Sequence, residues 1–258
     1  MRAIILAAGT GSRLSSHTYN KPKGMIKFLD KPLLKHQIDA FKSKGIEDIT
    51  IVRGYKSEKI NFDNITYFEN LDFQKTNMVI SLLCAKEKLN TDIIVTYSDL
   101  VLEERNIDKL LKSEYDIGVL VDDNFETYWK SRLGSKYIND MESLSISNNE
   151  IISLGNTNPA KDEVDGRYVG AIKFSKIGID FLVKHSIEKS KTESLNKLGT
   201  RKFKNWHMTD LLQSIIDSKF PINPIITSGG WLEFDTDEDY EIYNAWHHNN
   251  TLKRFIEI

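Results

Sequence analysis

The run Ala3-Ile4-Ile5-Leu6-Ala7-Ala8 is apolar at every position and passes directly into Gly9-Thr10-Gly11-Ser12-Arg13. A strand without polar alternation is buried on both faces, as in a parallel sheet covered by helices above and below. The glycine-rich turn at its end exposes backbone N–H groups that can hold phosphate oxygens. Arg13 and then Lys21-Pro22-Lys23 add fixed positive charge just beyond it. This arrangement suits a nucleoside triphosphate held for attack at one phosphorus.

Two other glycine motifs are excluded. A dinucleotide fingerprint needs a third Gly or Ala where the helix opens and an acidic residue after the second strand. Here those places hold Leu14 and, after Ile49-Thr50-Ile51-Val52, Arg53. A Walker loop needs Gly-Lys-Ser/Thr after a strand, which the chain never supplies.

The 258 residues suffice for one α/β domain, here expected over 1–258 with a nucleotide-binding half (1–122) and an acceptor-binding half (123–258). With 35 Lys+Arg against 37 Asp+Glu, no global basic field points to nucleic acid. Between Lys189 and Lys204, however, six basic residues face one acidic residue, within a basic insertion near 187–205. It reads as a solvated, mobile insertion or as a flap attracting an anionic substrate. The single cysteine, Cys84, lies among core-type residues and reads as a buried structural thiol. No disulfide framework and no apolar run of spanning length are present, so a soluble cytoplasmic chain without a membrane partner is expected. The oligomeric state stays open, a homodimer among the options.

Strands and helices alternate at the spacing of βαβ units. Asp30-Lys31-Pro32 is expected to cap a helix carrying Leu34, Ile38 and Phe41, ended by Gly45. Strands follow at Ile49–Val52 and Ile65–Phe68, then a helix capped by Thr76-Asn77, a buried strand over Asp92–Tyr97, a helix over Asn106–Lys112 and a strand over Ile117–Val121. Beyond Phe125 the pattern is β-rich, with strands expected at Lys136–Ile138, Ile151–Leu154 and Tyr168–Phe174. Helices are expected at Ile177–Lys189 and His207–Ser218, then a strand over Trp231–Phe234 and a final helix capped by Thr236-Asp237. The fold class is thus a Rossmann-like α/β domain, a mixed, mostly parallel sheet flanked by helices, with a β-rich acceptor-side half.

Ligands of open parallel sheets lie beyond the carboxyl ends of the strands. Three candidate strands end in phosphate-handling groups: the glycine loop, Asp99 after Tyr97-Ser98, and Asp235 after Phe234. Two converging carboxylates make a hard oxygen site for Mg²⁺, which keeps waters and phosphate oxygens as its other ligands.

With those residues in hand, the chain resembles the nucleotidyltransferase superfamily that activates sugar phosphates and small phospho-alcohols. The signature L-A-A-G-x-G-S/T-R followed by P-K reads as Leu6-Ala7-Ala8-Gly9-Thr10-Gly11-Ser12-Arg13 and Pro22-Lys23. The family's metal aspartate matches Asp99, and its second, in E-x-D, matches Glu233-Phe234-Asp235. Within the superfamily the chain looks most like the cytidylyltransferases for phosphocholine and 2-aminoethylphosphonate, in stretches including Asn77–Leu82, Gly166–Gly170 and Thr209–Leu212. The resemblance implies CTP as donor and Mg²⁺ held by Asp99 and Asp235. It implies Arg13 on the departing β- and γ-phosphates and Lys23 on the α-phosphoryl and acceptor oxygens. The base would face Ala8-Gly9, Asn77 and Ser81, with Ser98 also on the nucleotide side.

The acceptor is less constrained. A choline would want an aromatic cage, for which Tyr128, Trp129, Tyr168, Trp206 and Trp231 are available. An amino-acid-like acceptor would need a cation and an acid. Arg132, Arg167 or Lys173 could serve as the first, and Asp140, Glu142 or Asp210 as the second. Charge is the denser of the two here, so a small phosphorylated zwitterion is favoured, bound by Trp129, Arg132, Tyr168, Lys173 and Asp210. Among family members, the transfer of CMP to phosphoglutamine for a capsular O-methyl phosphoramidate fits that description. Phosphocholine, 2-aminoethylphosphonate, a sugar 1-phosphate, or a nucleotide-binding module without turnover are the alternatives.

Overall fold

In the computed structural model, residues 1–157 and 159–258 are described, Ser15 and Lys161 in backbone only. Seven strands form the central sheet: β1 (Arg2–Ala7), β2 (Ile49–Arg53), β3 (Thr66–Glu69), β4 (Ile93–Tyr97), β5 (Ile117–Asp122), β6 (Arg167–Phe174) and β7 (Asn223–Thr227). Their spatial order is β7-β5-β6-β4-β1-β2-β3. Every neighbouring pair is parallel except those of β6, which runs antiparallel to both β4 and β5.

The alternation of side chains explains why β1 carries no polar residue after Arg2. Ala3, Ile5 and Ala7 enter one apolar layer while Ile4 and Leu6 enter the other. The first layer is covered by α1 (Leu33–Ser43), α3 (Glu104–Lys112), α4 (Phe125–Leu133) and α7 (Asp237–His248). The second is covered by α2 (Met78–Cys84), α5 (Lys176–Lys191) and α6 (Met208–Asp217). None of these helices is long and apolar enough to cross a membrane.

Several sequence expectations shift. Asp30 does not cap α1: with Leu29 it takes positive φ (62° and 49°) in the turn of a small hairpin, Lys27–Phe28 against Lys31–Pro32. The amide of Leu33 instead donates to the Ile26 carbonyl at 3.0 Å, so the hairpin satisfies the helix start. The stretch after Phe125 begins with α4, and Lys136–Ile138 lies in a 3₁₀ segment (Gly134–Asp140) rather than a strand. A separate hairpin pairs Glu142–Ser147 with Glu150–Thr157 through Asn148 and Asn149, both at positive φ. That pair of asparagines is a tight-turn signal.

The basic stretch is anchored rather than detached. The Asn196 side chain accepts from the amides of Thr200 and Arg201, and Phe203 and Trp206 are buried. Lys202 pairs with Glu193, Arg201 with Asp210 and Lys197 with Asp217. Cys84 is half-buried, and burial pushes its thiol pKa up.

The most consequential shift concerns Trp231. Residues Trp231–Glu233 do not join the central sheet but pair antiparallel with Leu100–Leu102, Glu233 opposite Leu100. One step further, the amide of Phe234 donates to the Asp99 carbonyl at 2.9 Å. The Phe234 ring is fully buried, 5.0 Å from Phe28 and 4.9 Å from Tyr243 between ring centroids. Phe234→Ala is therefore expected to cost about 3–5 kcal/mol in urea denaturation, and Phe234→Leu, which leaves a smaller cavity, to cost less.

Candidate active site

A cleft of about 570 Å³ opens above the carboxyl ends of β1 and β4. One wall is the glycine loop. The N–H groups of Gly9, Thr10 and Gly11 donate to no acceptor among the described residues, which leaves them for a ligand's oxygens. Gly11 has φ +64°, and a Cβ there would stand 3.0 Å from that of Lys23, so the loop and the lysine pack in direct contact. Lys23 follows Pro22 and opens a tight 3₁₀ turn, Lys23–Met25.

The Lys23 ammonium is largely buried and bridges two carboxylates, 2.9 Å from Asp99 Oδ2 and 3.1 Å from Asp235 Oδ1. Arg13, mostly exposed, reaches Asp235 Oδ2 at 2.5 Å. Gln37 of α1 fixes the end of β4, donating to the Tyr97 carbonyl and accepting from Thr96 Oγ1, both at 2.8 Å. The ribbon between Leu100–Leu102 and Trp231–Glu233 then brings Asp235 beside Asp99.

The electrostatics follow from crowding. Burial is the largest influence on Lys23 and opposes its charge, but Asp99 and Asp235 outweigh it and raise its pKa. Asp235 is raised as well: burial leads, and Glu233 and Asp99 repel its charge while Lys23 and Arg13 offset this only in part. Glu233 is held below the usual range despite burial, by Arg132 first and then Arg167. The site carries more buried negative charge than its lysine neutralises.

That surplus bears on a divalent cation. Asp99 Oδ1 is buried and makes no hydrogen bond. No cluster of three or more His, Cys, Asp or Glu forms a metal cage among the described residues. Two carboxylates with one unpartnered oxygen match Mg²⁺, which binds through one or two carboxylates and takes its remaining ligands from phosphates and water.

Among the nucleotide-side residues, Leu6, Ala8, Gly9, Gly11, Ser12, Asn77, Ser81 and Ser98 line the cleft, as do Arg13, Lys23, Asp99 and Asp235. Ala7 lies in the core and Thr10 points to solvent. Asn77 caps α2, its Oδ1 accepting from the Met78 amide at 2.8 Å. Ser81 Oγ accepts from Asn70 at 3.0 Å.

On the acceptor side, only Tyr168 of the five expected residues lines the cleft. Lys173 is buried and spends its donors on the carbonyls of Ser113 and Tyr115, at 3.0 and 2.9 Å. Asp210 closes the start of α6, accepting from the His207 amide at 2.9 Å and pairing with Arg201. Trp129 is fully buried, and Arg132 is committed to Asp239 and Glu233. The recognition chemistry of these four side chains is consumed within the protein.

Their place on the wall is taken by Glu142, Arg167 and Tyr97. Arg167 lies over the Trp129 ring at 4.4 Å and donates to the Asp140 carbonyl at 2.7 Å. Glu142 opens the hairpin strand and makes no side-chain hydrogen bond among the described residues; burial chiefly raises its pKa. The hydroxyls of Tyr97 and Tyr168 meet at 2.5 Å. Gly170 has φ +86°, and any Cβ would stand 2.8 Å from the Tyr97 ring, so that contact requires glycine. Phe73 and the segment His207–Thr209 complete the rim; of these, only Thr209 falls in a stretch that the sequence resemblance marks.

Known proteins resemble this chain in sequence and in fold. The family model of the MobA-like NTP transferase domain matches residues 3–146. The CTP:phosphoglutamine cytidylyltransferase of Campylobacter jejuni is 32% identical over 256 residues, covering 94% of this chain and 98% of that protein. Among solved structures, the CTP:phosphocholine cytidylyltransferase of Streptococcus pneumoniae superposes with a TM-score of 0.67 at 21% identity, over 93% of this chain and 96% of that one. The inositol-1-phosphate CTP transferase of T. maritima gives 0.68 at 17% identity, over 100% of this chain and 98% of that one. At those identities the structures speak for the fold alone. The chain belongs to the MobA-like NTP transferase domain family and is a nucleotidyltransferase.

Proposed function

We propose that the protein transfers CMP from CTP to the phosphoryl group of a small zwitterion, phosphoglutamine foremost, and releases pyrophosphate. One observation carries this: a single cleft joins the glycine loop and the Lys23–Asp99–Asp235 cluster to Glu142, which makes no side-chain hydrogen bond among the described residues, and to Arg167, which lines the cleft while pairing with Asp140. The likeness to the C. jejuni phosphoglutamine enzyme over nearly the whole of both chains supports the same donor and acceptor class.

The chemistry asks little of the protein beyond placement and charge. A phosphoryl oxygen of the acceptor attacks the α-phosphorus of CTP, and the bond to the β-phosphate's bridging oxygen breaks, leaving its electron pair on pyrophosphate. The second pKa of a phosphate monoester is about 6, so at neutral pH the oxygen is already an anion and no general base is needed. Lys23, kept protonated by its two carboxylates, offers positive charge to the α-phosphoryl and the incoming oxygen. Arg13, paired with Asp235, would meet the β- and γ-phosphates. Asp99 and Asp235 would hold Mg²⁺, which when bound supplies further neutralisation of phosphate charge.

At the far end, Arg167 would take the acceptor's carboxylate and Glu142 its ammonium. A tryptophan cage for a quaternary ammonium is disfavoured, because Trp129, Trp206 and Trp231 all have their rings in the core. The test is pyrophosphate release with Mg²⁺, each of the four NTPs, and phosphoglutamine, phosphocholine, 2-aminoethylphosphonate and hexose 1-phosphates. Turnover with CTP and phosphoglutamine is expected. Turnover with a sugar phosphate alone, or CTP binding with no pyrophosphate from any pair, would contradict the proposal.

Two substitutions separate the two ends of the cleft. Lys23→Met is expected to lower kcat by about 10²–10³, the loss seen when one preorganised donor is removed, while calorimetry still detects CTP binding. Arg167→Met removes a charged hydrogen-bonding group, and the acceptor KM should rise by about 10- to 100-fold with the KM for CTP unmoved.

A further inference from the structure

We infer that Asp239, gripped by Arg132, is the positioning residue that aims the Asp235 carboxylate at the reacting centre, an inference resting on the reading of Asp235 as a cation-holding group. The Arg132 guanidinium donates from Nε to Asp239 Oδ1 and from Nη2 to Oδ2, both at 2.6 Å. The two side chains are 3% and 1% exposed. Asp239 Oδ2 accepts in turn from the amides of Asp235 at 2.9 Å and Thr236 at 2.8 Å. The third donor, Arg132 Nη1, reaches Glu233 Oε2 at 2.9 Å.

One guanidinium therefore holds the chain on both sides of Asp235. The front of the same segment is tied to Asp99 through the Phe234 amide. These ties fix the backbone of Asp235, the base from which its carboxylate reaches Lys23. Helix capping alone does not account for the arrangement. Thr236 Oγ1 already accepts from the Asp239 amide in the capping box of α7, and a box of that kind needs neither a buried arginine nor a bond to Asp235. A buried ion pair is also weak evidence for stability, since an apolar pair of equal volume often serves as well. What this pair adds is direction: planar, forked hydrogen bonds fix the carboxylate's orientation, and with it the two amides it holds.

The test compares Asp239→Asn, Arg132→Lys and Thr236→Ala with the unaltered protein. Three readouts are taken: kcat and KM, Mn²⁺ affinity in the presence of CTP by water-proton relaxation, and thermal unfolding. In Asp239→Asn, folded by circular dichroism, kcat and Mn²⁺ affinity should each fall about 10- to 100-fold, the usual consequence of losing a group that orients a metal ligand, with KM for CTP unchanged. Thr236→Ala should lower the unfolding temperature yet keep kcat and Mn²⁺ affinity. Should Asp239→Asn fail to fold, Arg132→Lys carries the test, because it keeps the charge and loses the fork; the same direction of change is expected.

Unaltered kcat and Mn²⁺ affinity in folded Asp239→Asn, or in Arg132→Lys if that variant carries the test, would overturn the inference. So would a Thr236→Ala variant that loses as much as Asp239→Asn. Asp235→Asn, run in parallel, separates the two levels: full activity there removes the underlying reading of Asp235 itself.

Discussion

Everything at the centre of this molecule depends on one backbone pairing, the short ribbon between Leu100–Leu102 and Trp231–Glu233. Asp99 and Asp235 are 136 residues apart in a chain of 258, and no regular element of the central sheet joins them. The ribbon does so by running antiparallel just past the end of β4. Its last bond, from the Phe234 amide to the Asp99 carbonyl, sets the two carboxylates side by side. Lys23 then bridges them from a turn that packs against the glycine loop.

Such a cluster would be unfavourable without its surroundings. Two carboxylates drawn out of water repel each other, and burial opposes their charge. The protein answers with cations graded by exposure. Lys23 is buried between the pair, Arg13 lies on the solvent side of Asp235, and Arg132 is sealed behind Glu233 and Asp239. The remaining imbalance, with Asp235 still raised and Asp99 Oδ1 without a partner, leaves the site suited to a ligand that brings cationic charge with its phosphates.

The nucleotide half was readable because its chemistry is local. The loop from Leu6 to Arg13, Lys23 and the carboxylates after Tyr97 and Phe234 all follow turns that a sequence pattern marks, and most of them line the cleft. The acceptor half was not readable in the same way. Arg132, Lys173, Asp210 and Trp129 carry plausible recognition chemistry, but whether a donor faces a ligand or a neighbouring carbonyl is decided by tertiary packing. Lys173 is the plainest case, since its position on β6 directs its ammonium to the carbonyls that follow α3. The small ribbon escaped for a related reason: Trp231–Glu233 reads as one more strand, and only its partner reveals that it lies outside the sheet.

In the proposed reaction the acceptor oxygen attacks the nucleotide directly, with residues of this cleft supplying position and charge but no covalent intermediate. The most direct measurement is the stereochemical course at phosphorus, using CTP made chiral at the α-position with sulfur and an acceptor that turns over. A single in-line displacement predicts inversion of configuration in the product. Net retention would mean two displacements through a nucleotidylated side chain, and would contradict it.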